Sequence, residues 1–296
     1  MVAPAELNTG NSEHLTPESL WAEIDGQKMH FLKAGSGPPL LLIHGLLGGS
    51  FCWRFNLPAL ARNHTVYAVD MVGMGMSDAP RRCDCGMQTQ AQRLSRFVDD
   101  VCLKDDLGLK KVDIIASSWG GGVAMFLASQ NEKVRTLQLA APVNPWSDFG
   151  RERINFFTTN PIARFLLPIL LPYSRPFQRP WLERLYGDPK RIPPGTLAGY
   201  TALITRRGRG HNLLGILRSW QKDVDALRIA IAKLTQPTLL IWGPRDLAVD
   251  PRSAYALKNT IPGSEIAFVP DTGHLPFEES PDQFNTTVLD FLNRIE

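Results

Sequence analysis

A chain of 296 residues, 44% hydrophobic and 21% charged, carries enough apolar side chain for one large α/β domain with an insertion and is too balanced in composition to stay disordered. Its net charge of +3, with no run of five or six like charges, excludes nucleic acid as an expected partner. No basic segment leading into an apolar one opens the chain, so residues 1–19 are expected to form a loose N-terminal tail.

Cys52, Cys83, Cys85 and Cys102 lack the paired spacing of a zinc ribbon, and the histidines are not placed to complete a site. Reduced thiols, a cytoplasmic location and no metal are the expectation.

Trp21 to Leu32 reads as two strands joined at Asp25-Gly26, a type I′ hairpin signal and the antiparallel edge of a sheet. After the turn at Gly35 to Pro39, the continuous apolar run from Leu40 predicts a fully buried parallel strand that breaks into glycines beyond His44. Thr65 to Asp70 is a further strand, running into Met71 to Ser77, whose Met71, Met74 and Met76 could line a pocket or fill gaps in the core. Helical spacing of Leu94, Phe97, Val98 and Val101 predicts a helix over 89–107, with Gly108 as its stop. Val112 to Ala116 is a short buried strand and Val123 to Ala128 an apolar helix, so the chain must turn sharply between them at Ser118. Val134 to Ala140 is the sixth strand. Alternating strands and helices joined by short loops predict a doubly wound sheet with right-handed crossovers.

From residue 146 to 230 the rhythm changes, because prolines cut apolar pieces such as Phe165 to Leu171 into short helices. Arg164, Pro168 and Pro172 interrupt a stretch already too short to span a membrane, so no stable insertion is expected. Fourteen Arg and Lys face six Asp and Glu in this segment. That surplus reads either as a solvated basic face or as a device that draws anionic substrates or an acidic surface towards a pocket. The sheet resumes at Gln236 to Trp242, followed by a helix at Pro251 to Asn259, a last strand at Glu265 to Val269 and a terminal helix from Pro281.

Ala116, Gly120 and Gly121 supply the small neighbours that a sharp strand-to-helix turn needs around its apex, leaving Ser118 exposed above the sheet beside the backbone N–H groups of a helix start. Neither a P-loop nor a dinucleotide fingerprint is present. The stretch resembles the G-x-S-x-G nucleophile elbow of the α/β-hydrolase family, with Ala116 in place of the first glycine. His44-Gly45 is similar to the family's H-G-x segment, which implies an oxyanion hole from the backbone N–H groups of Leu46 and Trp119. The D-x-x-G-x-G-x-S pattern from Asp70 to Ser77 also resembles the family. The resemblance implies an eight-stranded, mostly parallel sheet, a core at 20–145 and 231–296, and a helical cap at 146–230 inserted after strand 6.

A serine hydroxyl needs a histidine base, and the histidine an acid that holds its tautomer. Of six histidines, His14 and His30 lie in the tail and hairpin, His64 precedes a strand, His211 belongs to the cap, and His44 is read as structural. His274 alone follows a strand at its carboxyl end. Asp246 and Asp250 both follow the Leu239 to Trp242 strand. Asp246 matches the family's acid loop, whereas Asp250 is placed to cap the helix at Pro251. The order Ser118, Asp246, His274 is the order that the resemblance implies.

Serine at the elbow distinguishes this chain from epoxide hydrolases and haloalkane dehalogenases, which share the scaffold and use aspartate there. The expected activity is hydrolysis of small-molecule carboxylic esters with short to medium acyl chains, without metal or organic cofactor. Leu47, Leu166, Leu167, Leu170 and Leu275 are expected to line the pocket, with part of the surface of the Leu166 to Leu171 run turned down over Ser118. Carbon–carbon bond hydrolysis of a diketone-like substrate, or ligand sensing without turnover, would use the same scaffold. Oligomeric state is not legible.

Overall fold

The computed structural model describes residues 16–104, 110–147 and 150–295. Among these, eight strands form one sheet in the order β1-β2-β4-β3-β5-β6-β7-β8. β1 (Glu18–Ile24) and β2 (Gln27–Ala34) make the expected hairpin, with both turn residues at positive φ (Asp25 54°, Gly26 68°), as a type I′ turn requires. β1 begins at Glu18, within the segment expected as a tail.

β2 also pairs antiparallel with β4 (Thr65–Val69), and all further pairings are parallel: β3 (Pro39–Ile43), β5 (Val112–Ser117), β6 (Val134–Ala140), β7 (Thr238–Trp242) and β8 (Glu265–Phe268). Every residue of β3, β4, β5 and β7 is buried, which is why these segments show no polar alternation.

α1 (Leu57–Leu60) follows β3, and α2 (Met87–Phe97) continues into a wider π turn at Val98–Cys102. The helix expected over 89–107 therefore starts two residues earlier, and its stop at Gly108 lies outside the described residues. The D-x-x-G-x-G-x-S loop is held from its first residue. Asp70 Oδ2 accepts from Met76 N at 2.7 Å, Asp70 Oδ1 accepts from Ser50 N, and Ser77 Oγ accepts from His30 N at 2.8 Å. Gly75 has no room for a side chain, since a Cβ would stand 2.2 Å from Asp70 Cγ. Of the loop's methionines, Met71 and Met74 are buried in the core and Met76 is exposed.

α3 (Trp119–Gln130) leaves Ser118 directly. Between β6 and β7 the described chain is helical: α4 (Arg151–Thr159), α5 (Pro161–Leu170), α6 (Arg175–Leu185), α7 (Thr196–Ile204) and α8 (Arg209–Ile231). α8 ties this layer to the sheet, packing on α2 and α3 as well as on α4 and α5. None of the described helices is long and apolar enough on its own to cross a membrane. α9 (Ser253–Thr260), α10 (Pro276–Glu279) and α11 (Pro281–Ile295) complete the fold.

The turn at Ser118 is built by close packing. A Cβ on Gly120 would lie 2.2 Å from His44 O, and one on Gly121 2.5 Å from Pro142 Cβ. Gly120→Ala therefore forces β3 and α3 apart and should destabilise the fold by about 1–3 kcal/mol or more. The expected readout is a lower urea midpoint at an unchanged m-value.

Candidate active site

Ser118, Asp246 and His274 stand at the carboxyl ends of β5, β7 and β8, on one edge of the sheet. Ser118 has φ 52° and ψ −122°, a backbone conformation costly for a residue with a Cβ. It persists because both flanks are fixed: Ser118 N donates to Ala140 O at 2.9 Å, and Ser118 O accepts from Gly121 N and Val143 N, each at 2.9 Å. Ser117, one residue earlier, is buried at the end of β5.

Trp119 is the first residue of α3, where a backbone N–H has no carbonyl one turn behind it. Across the cavity, Leu46 lies in the turn closed by Gly48 N donating to Gly45 O at 3.1 Å. His44 orders this turn. Its Nδ1–H donates to Gly45 O at 2.8 Å, and its Nε2 accepts from Met71 N at 3.1 Å, so the ring is neutral and has no proton to exchange with Ser118.

His274 Nδ1 donates to Asp246 Oδ2 at 2.8 Å, and both side chains are buried. Asp246 Oδ1 accepts from Ala248 N at 2.7 Å and Val249 N at 3.0 Å, which fixes the carboxylate plane. Asp250 is absent from this arrangement. It accepts from Arg252 N at 2.9 Å and pairs with the exposed Arg252 guanidinium at 2.7 Å, so α9 starts at Ser253, not at Pro251. The loops carrying acid and histidine touch through backbone: a Cβ on Gly243 would meet Gly273 O at 2.1 Å, and Arg245 N donates to Thr272 O at 3.0 Å.

Ser118 and His274 line a cavity of about 680 Å³. Leu46, Leu47, Leu167 and Leu275 line it as well, but Leu166 and Leu170 do not; both are exposed on the outer side of α5. Part of the Leu166 to Leu171 run, Leu167, does turn towards the cavity, and the expectation that Leu166 and Leu170 line it is corrected. A helix cannot aim consecutive residues one way, and only the stripe of Ala163, Leu167 and Leu171 faces inwards. Phe157, Trp181, Tyr200, Leu213 and Leu217 complete the apolar wall, with Arg151, Arg153 and Arg184 also on the lining. These residues carry no signal of their role in the sequence, because an apolar residue in a helical insertion does not indicate which of its neighbours is a cavity.

A model of the alpha/beta hydrolase family matches residues 40–287. The chain belongs to this family. Haloalkane dehalogenase 2 of Mycobacterium tuberculosis is 27% identical over 92% of this chain and 94% of its own length. Among solved structures, an epoxide hydrolase, CorEH, superposes with a TM-score of 0.82 at 25% identity, covering 95% of this chain and 100% of that one. A thermophilic esterase from Thermogutta terrifontis superposes with a TM-score of 0.77 at 22% identity over 94% of this chain and 99% of its own. The protein is an enzyme of the hydrolase superfamily.

In this hydrolase the histidine loop is fastened to the cap by two buried carboxylates. Glu279 Oε2 accepts from Gly273 N at 2.8 Å and from cap residue Gly187 N at 3.0 Å, while His274 N donates to Leu185 O at 2.7 Å. Glu278 accepts from Arg54 at 3.0 Å, from Tyr186 at 2.8 Å and from Tyr200. Burial, reinforced by the Glu278 charge, pushes both tyrosine hydroxyls up, so they remain donors over the working pH range.

Burial holds His44 below its ordinary value of 6.5. The unfolded chain then binds a proton that the folded chain refuses, so stability rises with pH through this window and falls as pH drops below 6.5. Urea unfolding from pH 7.5 down to 5 should show that acid loss. His44→Asn should be less stable at neutral pH and show a shallower acid slope.

Proposed function

We propose that the protein hydrolyses carboxylic esters of short to medium acyl chain through an acyl-enzyme on Ser118, with His274 as general base and acid and Asp246 as its orienting partner. The observation that carries this reading is a serine at the elbow, sharing a cavity with a histidine whose other nitrogen is bonded to a buried aspartate at 2.8 Å.

His274 takes the Ser118 proton as Oγ attacks the ester carbonyl. The oxyanion develops towards the N–H groups of Leu46 and Trp119, the protonated ring then donates to the departing alcohol, and a water activated by the neutral ring releases the acid. Asp246 stabilises the imidazolium and holds Nδ1 protonated, so that Nε2 faces the serine.

Relatives named as a dehalogenase and an epoxide hydrolase raise the question whether this chain shares their substrates. Chemistry argues against it. A serine alkylated by a halide or an epoxide becomes an ether, which offers water no carbonyl to attack, and the enzyme would stop after one turnover. An acylated serine is an ester and turns over by the route that formed it. Carbon–carbon hydrolysis of a diketone-like substrate passes through the same acyl-enzyme and is the second reading.

Ser118→Ala should lose on the order of 10⁴–10⁶ in kcat on nitrophenyl esters while remaining folded, and a serine-directed phosphonate should label Ser118 alone by mass spectrometry. An intact rate in Ser118→Ala would refute the assignment. Asp246→Asn should cost on the order of 10³–10⁴ in rate, whereas Asp250→Asn should cost about 1 kcal/mol or less of stability and leave the rate unchanged.

The wall of Phe157, Leu167, Trp181, Leu213 and Leu217 favours an apolar acyl group. Each methylene it buries is worth about 0.8 kcal/mol, close to fourfold in kcat/KM. Specificity should climb from acetate to a medium chain and stop rising once the cavity is full. A profile flat from acetate to hexanoate would show that this wall does not hold the acyl chain.

A further inference from the structure

α5 is apolar on both sides. Its inner stripe, Ala163, Leu167 and Leu171, is covered by the fold or lines the cavity. Its outer residues are Ile162, Phe165, Leu166, Ile169 and Leu170, continued by Tyr173, a repeat of three and four that places them along one helical face. All six are exposed, Ile162 by 68% and Phe165 by 69%. Phe156 on α4 and Phe177 on α6 are exposed as well. The helix is capped, with Pro161 in its first turn and Asn160 accepting from Ile162 N and Ala163 N at 3.0 Å each, and it continues past an internal Pro168 to Leu170. A run of large apolar side chains of this kind marks a surface with a partner.

Charge identifies the partner. Residues 151–185 carry six arginines and two glutamates; Arg151, Arg153 and Arg184 line the cavity, and Arg164, Arg175 and Arg179 are exposed on α5 and α6, flanking the apolar stripe rather than within it. One of the two acids, Glu183, is already paired with Arg179 at 2.8 Å. A second copy of the chain related by a two-fold axis would press this face against itself and bring arginine against arginine. A surface with an apolar interior and anionic headgroups satisfies both the stripe and the guanidinium groups.

We infer that the outer face of the cap, Ile162 to Tyr173 with Phe156 and Phe177, docks on an anionic lipid bilayer. α5 has ten residues, far short of a span, so it lies in the plane of the interface with its aromatic and branched side chains among the headgroups. Arg151, Arg153 and Arg184, on the flanking helices α4 and α6, line the cavity that holds Ser118. This is peripheral binding, without a membrane-spanning helix among the described residues.

The test is co-sedimentation of the full chain with vesicles of phosphatidylglycerol and phosphatidylcholine in equal parts, against vesicles of phosphatidylcholine alone. No turnover is involved, so the result is independent of the chemistry assigned to Ser118. Partition should be at least about tenfold stronger on the anionic vesicles and should weaken as salt is raised. Phe165→Asp combined with Ile169→Asp should abolish it, and Arg164→Gln combined with Arg175→Gln should lower anionic partition by roughly fivefold per arginine. These positions are exposed, so thermal melts of the variants should match the parent. The proposal is overturned by absence of partition on both vesicle types, by equal partition of the parent and the double aspartate variant, or by a lipid-free dimer in sedimentation velocity that the double aspartate variant dissociates.

Discussion

The site depends on the crossing of β3 and α3 at the elbow. Ser118 adopts φ 52° because Gly120 lies against His44 O and Gly45 lies against Ser118 itself, where an added Cβ would come within 3.0 Å of Ser118 Cβ. One contact thus sets two geometries. It lifts the serine above the sheet, and it brings the turn carrying Leu46 opposite the start of α3. Backbone strain at Ser118 is retained through hydrogen bonds to Ala140, Gly121 and Val143, which come from three different segments.

A second layer of constraint joins cap to core through polar groups buried from water. Glu278 and Glu279 stand in α10, directly after the loop that carries His274, and their acceptors are taken by donors from α1's neighbourhood, the histidine loop and the cap. Removing one partner would strand a buried charge, which is costlier than the pair's own net stabilisation. The cap is therefore held at its inner rim, next to the candidate site, while the outer side of α5 is exposed. An enzyme arranged in this way can keep its histidine in place while its cap meets a second phase.

The scaffold is shared with proteins named for halide and epoxide chemistry, and the serine at the turn between β5 and α3 is the residue on which the proposed chemistry of this chain rests, not the fold-level likeness. His30 illustrates the same caution within the molecule. Its Nδ1 bonds Asp70 at 2.8 Å and its Nε2 bonds Ser19 Oγ at 2.9 Å, a serine, histidine and aspartate in sequence. Asp70 is committed to Ser50 N and Met76 N, however, and holds a loop. Three residues of the right types in contact are not a site without a cavity and an electrophile's binding partners.

The sequence by itself determined the sheet, the elbow, the glycine turn after β3 and the order of serine, acid and histidine. Each of these is encoded locally: by buried runs without alternation, by small residues at fixed offsets from Ser118, and by loops that follow strands. Asp246 could be preferred over Asp250 from its place in the turn, but what Asp250 does instead, pairing with Arg252 ahead of a later helix start, is a matter of side-chain geometry. Only tertiary structure decided which way the cap faces. The α5 sequence carries two apolar stripes, one of Ile162, Phe165, Leu166, Ile169 and Leu170 and one of Ala163, Leu167 and Leu171, so its pattern does not say which of them faces the cavity; the packed structure puts Leu167 on the lining and leaves Leu166 and Leu170 exposed. The anchoring role of Glu278 and Glu279 was equally illegible, because its partners Arg54, Tyr186, Gly187 and Tyr200 are distant in sequence and meet only when the cap closes on the core.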